Sequence, residues 1–228
     1  MKKIIPNELQ SITWISITLL ILSCYLWSQR ALLSTIKIPN ALTIHIGLET
    51  ATIIIFASVF IVCWNAFGNL RKRSTLILAI AFLCAAIFGF FHAISFQGMP
   101  GYPAAIDMHK SLSFWLLSRY LISFTLLGLV LQTSDIDISE NHSTVSMYIG
   151  LLLTLAATTI IFNFPEIFPT TYLEESGQTI FKVRAEIILV ITNALTAILF
   201  YRQIISSKNI DSEGHLKIKR SLLFFPLR

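Results

Sequence analysis

A few ionisable side chains in an otherwise apolar chain have the types needed to hold a metal, an anion or a proton. His45, Glu49, His92, Arg119 and Glu186 interrupt four separate apolar stretches, with His45 and Glu49 sharing one of them. Residues four apart share a helix face, which puts Glu49 one turn from His45. An imidazole and a carboxylate so placed can hydrogen-bond, which fixes one ring tautomer and leaves the second nitrogen for a ligand or metal. The same spacing describes a pair that satisfies itself or bonds Arg119 of a neighbouring helix. Arg119 cannot lose its proton, so it needs a carboxylate, carbonyls or water around it. Glu49 and Glu186 are the carboxylates within its reach. Pairing would lock the rotation of helices, whereas a guanidinium left accessible would bind an anion. His45, His92 and His109, with Met99, would also suit copper or zinc, or the axial positions of a haem, although no spacing among them is diagnostic.

The elements that must position these residues are membrane spans. Hydrophobic residues make up 55% of the 228, charged residues 13%, and mean hydropathy is +0.74. Six stretches, residues 11–27, 42–67, 74–96, 112–131, 145–164 and 181–201, approach or exceed the ~20 residues a crossing helix needs, which predicts an all-α polytopic transmembrane bundle. Residues 1–205 form the membrane-embedded domain, and 206–228 a cytoplasmic tail or the start of a further helix. Lys2 and Lys3 before the first stretch imitate a secretory signal. That stretch is too long and lacks a small-residue cleavage site, so it is read as a retained helix.

Orientation follows from the basic residues. With the N-terminus inside, cytoplasmic segments carry Lys2, Lys3, Arg71, Lys72, Arg73, Arg202, Lys208, Lys217, Lys219, Arg220 and Arg228, eleven in all, against five outside: Arg30, Lys37, Lys110, Lys182 and Arg184. The positive-inside rule then places both termini in the cytoplasm of a bacterial inner membrane. The formal charge of +5 is accounted for by topology, so no nucleic-acid partner is implied. At 1.5 Å per residue, His45, Glu49, His92, Arg119 and Glu186 lie roughly 6 to 12 Å below the outer ends of their helices. Each costs about 2.5 to 3.5 kcal/mol at mid-membrane, so several at one depth call for one explanation. The opposite halves hold no acid, base or histidine. A transporter needs polar groups along its whole path, so a dead-end recess open to the outside fits better.

Other residues read more plainly. Cys24, Cys63 and Cys84 lie singly in three stretches and are expected as buried, reduced, small apolar residues. Ala81, Ala85 and Gly89 form a small-residue seam for close helix packing. Phe90, Phe91, Phe96, Tyr102, Phe114, Trp115 and Tyr120 are expected mostly as interface anchors, some lining the recess. Residues 165–178 are long enough to fold over the recess as a lid.

With these residues placed, the chain resembles the membrane-associated sensor domains of the MASE class, third type, which precede bacterial diguanylate cyclases and histidine kinases. The resemblance rests on His45-Ile46-Gly47-Leu48-Glu49, on Phe91-His92-Ala93-Ile94-Ser95-Phe96-Gln97-Gly98-Met99-Pro100, and on Trp115 with Arg119-Tyr120. Gly177-Gln178-Thr179-Ile180-Phe181-Lys182 followed by Glu186 is a weaker match. The resemblance implies further helices and a cytoplasmic output domain, whereas this sequence ends in an apolar segment after Arg220, which reads as a truncated product.

The resulting expectation is a sensory input module, not an enzyme. An unknown small ligand, ion or redox-active species would bind His45, Glu49, His92, Met99, His109, Trp115, Arg119 and Glu186 and shift helices that a cytoplasmic output domain reads. Two alternatives stand beside it: a membrane-embedded metal-dependent hydrolase with zinc on His45, His92 and His109, and a remnant without activity.

Overall fold

The computed structural model of the protein describes residues 40–96, Met99 and 108–212, with side chains through Ile204, and isolated positions between Trp14 and Gln29. The first expected span as a whole, Cys24, Tyr102, Gln97-Gly98, Pro100 and the tail beyond Ser212 lie outside the described residues. The chain divides into two compact units, Met1–Ile44 and His45–Arg228. In the first, positions such as Trp14 and Thr18 are helical, and the Thr18 hydroxyl donates to the Trp14 carbonyl at 2.9 Å.

Five helices follow: α1 (Ala41–Leu70), α2 (Arg73–Ile94), α3 (Met108–Leu131), α4 (Glu140–Asn163) and α5 (Ile180–Ser212). All five are long and apolar enough to cross a membrane, and they coincide with the second to sixth expected spans. In hydrocarbon the backbone must satisfy itself, which a helix does completely. Several hydroxyls on these helices meet the same demand: Thr52, Ser58, Thr154, Thr159 and Thr196 each donate to the carbonyl four residues earlier.

Helix α2 lies at the centre, packed on α3 and α4, while α3 also meets α4 and α5. Half of the most apolar window of α2 is buried, against 6% for α1, so among the described helices α1 buries the least of itself. It reaches the others through side chains: Phe56 meets Phe82 at 5.4 Å between ring centroids, and a methyl on Gly89 would come within 3.3 Å of Ile53. The expected small-residue seam is in place, with Ala81, Ala85 and Gly89 buried. Its closeness lets the Ser118 hydroxyl of α3 donate to the Ala85 carbonyl at 2.9 Å. Lipid tails are as apolar as leucine, so such contacts and tight packing hold membrane helices together, at roughly 0.6 kcal/mol per hydrogen bond.

Cys63 and Cys84 are buried free thiols, as expected. Aromatic residues supply much of the packing. Phe114 is fully buried and stacks on Phe91 at 5.5 Å, Phe162 joins both, and Phe88 completes the cluster. Of the seven, Phe90 is exposed; Tyr102 is outside the described residues. Most of the described rings therefore pack within the bundle. Offset and edge contacts between rings offset the loss of freedom that their large bodies suffer on packing.

At one end of the bundle Arg71, with φ at 54°, closes α1 by donating its N–H to the Phe67 carbonyl at 2.9 Å. That turn is stitched to the α3–α4 connection. Lys72 bridges Asp137, Arg71 pairs with Glu140, and Asp135 accepts from the Ser74 amide at 3.1 Å. The Asp137 carboxylate, 2.6 Å from the Lys72 ammonium, raises the lysine above its ordinary range. At the other end, residues 165–178 form an ordered cap. It comprises a short 3-10 turn (Pro165–Ile167) and a hairpin pairing β1 (Tyr172–Leu173) with β2 (Gly177–Gln178). Gly177 takes a φ of 79°, which suits a residue without a Cβ at this hairpin corner.

Candidate functional site

The capped end gathers side chains from α1, α2, α3 and α5. Helices alternate in direction along the chain, so the N-terminal turns of α1, α3 and α5 meet the C-terminal turn of α2. Among the described residues one group of histidines, cysteines and carboxylates brings three possible ligand atoms within 4.8 Å of one another: His45, Glu49 and His92. One Glu49 oxygen lies 3.8 Å from Nε2 of His92, and the other 3.7 Å from a terminal nitrogen of Arg119. The His45 ring sits edge-on to His92 at 5.8 Å between centroids, and Phe96 closes over both at 4.1 and 6.0 Å.

His92 is the best-defined member. It is 2% exposed, and its Nδ1 lies 2.8 Å from the Ser111 carbonyl of α3. A carbonyl only accepts, so Nδ1 carries the proton and donates it. When the ring is neutral, Nε2 is therefore the unprotonated nitrogen, and it faces Glu49 at 3.8 Å. The Ser111 hydroxyl lies 3.0 Å from the His92 carbonyl, to which it donates, and so fastens α2 to α3 a second time. Nε2 of His92 and Nε2 of His45 are both buried without a hydrogen-bond partner, as is the hydroxyl of Ser95 one turn on. Orphaned buried polar atoms are uncommon, and each calls for a cause.

Arg119 ends over two aromatic faces, Phe56 of α1 at 5.6 Å and Trp115 of its own helix at 5.5 Å. The opposite requirement, a partner for Glu186, is met within α5. Lys182 bonds Glu186 at 2.7 Å, and its ammonium also lies 5.6 Å from the Trp115 ring centroid. The expectation that Glu186 serves Arg119 is thus corrected. An i, i+4 lysine is nearer than a carboxylate on another helix, and the short tether makes that pair cheaper to form. Trp115 consequently supports two ion pairs, and a continuous path runs His92, Glu49, Arg119, Trp115, Lys182, Glu186 across four helices. Tyr120 adds a direct clamp, its hydroxyl donating to the Ala185 carbonyl at 2.8 Å.

The remaining sequence candidates occupy other places. His109 turns to the cap. Its Nδ1 accepts from the Thr171 amide at 3.1 Å, and its Nε2 lies 3.1 Å from the Pro165 carbonyl, to which it donates. Both ring nitrogens are therefore committed to fixing residues 165–171 on α3. Met99 sits just past α2, its amide donating to the Phe96 carbonyl at 3.2 Å. Sequence reasoning passed over Ser111, Phe56 and the role of Lys182. The Lys182-Glu186 spacing was a usable sign of an intrahelical pair. A backbone carbonyl that selects a histidine tautomer leaves no trace in residue type.

Comparison with known proteins adds one result. Residues 36–213 match a family described as a membrane-associated sensor domain. No curated protein and no solved structure matches the chain.

Proposed function

The chain belongs to the MASE3 family of membrane-associated sensor domains, and from that premise we propose that its sensing centre is the polar cluster of His45, Glu49, His92 and Arg119 at the capped end of the bundle. It is a multi-pass membrane protein with a sensory input role. In our reading the cluster faces the outside of the inner membrane, both termini are cytoplasmic, and a small ligand or ion shifts the helices for a cytoplasmic output domain. The chemistry is binding, in keeping with the family's description, and the chain performs no catalysis of its own.

One observation carries the reading: the path from His92 to Glu186 links α1, the least buried of the described helices, to α5, the last of them, through interactions that depend on charge. A ligand that competes for Glu49 changes what Arg119 and Trp115 contact, and Trp115 also supports Lys182. Such a ligand interacts differently with two helix arrangements, which is the requirement for a switch. The test joins residues 36–213 to a diguanylate cyclase output domain and measures its product in cells. Glu49→Gln and Arg119→Gln are each expected to shift output at unchanged protein level in the membrane. Output unchanged in both variants would remove the cluster from signalling.

A further inference from the structure

We propose that His45, Glu49 and His92 form a binding site for a first-row divalent transition metal, and that this cation and Arg119 compete for Glu49. The proposal rests on the sensor reading above and names the chemical class of its ligand.

Donor types come first. Two imidazole nitrogens and one carboxylate suit zinc, iron(II), cobalt or nickel; calcium and magnesium prefer all-oxygen sites, and copper(I) prefers sulfur. His92 is prepared for this task, because the Ser111 carbonyl holds the proton on Nδ1 and so turns a lone pair at Nε2 toward Glu49 and His45. A carbonyl behind a ligating histidine is the usual outer partner of a metal site. The two Nε2 atoms without hydrogen-bond partners gain a physical cause, since a lone pair aimed at a cation needs no donor.

Geometry supplies the competition. Ligand atoms about 2.1 Å from a tetrahedral ion sit about 3.4 Å apart, so a 4.8 Å span closes by roughly 1.4 Å on binding. Helix α1, which carries His45 and Glu49, is the least buried of the five described helices, and the movement is assigned to it. A dication on Glu49 leaves the cluster positively charged. The Arg119 guanidinium, already 3.7 Å from Glu49 and beyond hydrogen-bond length, is then repelled toward the Phe56 and Trp115 rings that flank it. Three protein ligands leave a coordination position for water or for a second small molecule.

The test is titration of the purified full chain in lipid nanodiscs, after chelator treatment, with Co²⁺ followed by its visible spectrum and with Zn²⁺ in competition. One equivalent of Co²⁺ giving the bands of a low-symmetry, four- or five-coordinate ion, displaced by Zn²⁺, is the expected result. His45→Ala and Glu49→Gln should each weaken binding by about a hundredfold or more, above what loss of an outer partner costs. Arg119→Gln should tighten it by about tenfold or more, while Arg119→Lys, which keeps the charge, should not. His109→Ala should leave it unchanged. Helix content by circular dichroism identifies any variant that fails to fold, and His92→Ala is read only where it passes.

No stoichiometric Co²⁺ in the folded wild-type chain, or binding retained in both His45→Ala and Glu49→Gln, would overturn the metal site. In that event an output shift by Glu49→Gln in the cyclase fusion would still support the sensor reading. Metal bound as described with output indifferent to every variant would retain the site and discard its signalling role.

Discussion

Removing either partner of the Glu49–Arg119 pair should destabilise the bundle unequally, and removing both should cost less than the sum. At 3.7 Å two unit charges attract by about 4.5 kcal/mol at an effective dielectric of 20, and by about 1.1 kcal/mol in water. The pair falls between these limits. Glu49 is 13% exposed and Arg119 29%, and the separation is too long for a hydrogen bond. We therefore expect a coupling of about 1–2 kcal/mol. The asymmetry follows from what is stranded. Glu49→Gln leaves Arg119 with two aromatic faces to rest on, costing about 1–2 kcal/mol. Arg119→Gln strands the more buried carboxylate without its permanent cation, costing about 2–4 kcal/mol. The assay is equilibrium unfolding in mixed micelles, followed by circular dichroism for the wild type, both single variants and the double. Additivity within about 0.5 kcal/mol, or a larger loss from Glu49→Gln than from Arg119→Gln, would refute the reasoning.

Three further outcomes follow from the packing around this pair. His109→Ala should release residues 165–178, seen as faster hydrogen exchange at Thr171 and Thr179 with α2 and α3 protection unchanged; equal protection would show that the cap is held elsewhere. Gly150→Ala should destabilise by about 1–3 kcal/mol, because the new methyl would fall 2.5 Å from Cγ2 of Ile80, a branched side chain with little freedom to move. A neutral or stabilising Gly150→Ala, measured by the same unfolding, would mean that α2 and α4 separate easily. The Lys72–Asp137 link has a definite pH sign: a raised lysine contributes stability fully below the ordinary lysine value of about 10.4 and loses it as pH rises through the raised one. The difference between wild type and Asp137→Asn should hence be constant through neutral pH and fall away in strong alkali; a difference that changes between mildly acidic and neutral pH would contradict this.

Much of this protein can be read from residue order. Hydropathy located α1 to α5, although α5 runs eleven residues past the expected end at 201, because the length of an apolar run is set by bilayer thickness while a helix can continue beyond it. The gathering of His45, Glu49, His92 and Arg119 at one end was equally legible, since antiparallel spans place residues by counting along the helix. The Ala81-Ala85-Gly89 seam announced one face on which α2 is closely approached. Rotation of each helix about its axis was another matter. A span that is apolar all round carries no amphipathic stripe, because hydropathy separates oil from water and does not separate lipid from protein.

For that reason only the tertiary structure decided which rings pack inward. Phe114 and Phe91 form the core while Phe90, one residue from Phe91, faces out. It also decided that Glu186 belongs to Lys182, that His109 serves the cap, and that Trp115 lies between two cations. Depth in the membrane comes from local sequence, which a one-dimensional count recovers. Azimuth comes from the interlocking of neighbouring helices, a property of the assembled bundle that no single span contains.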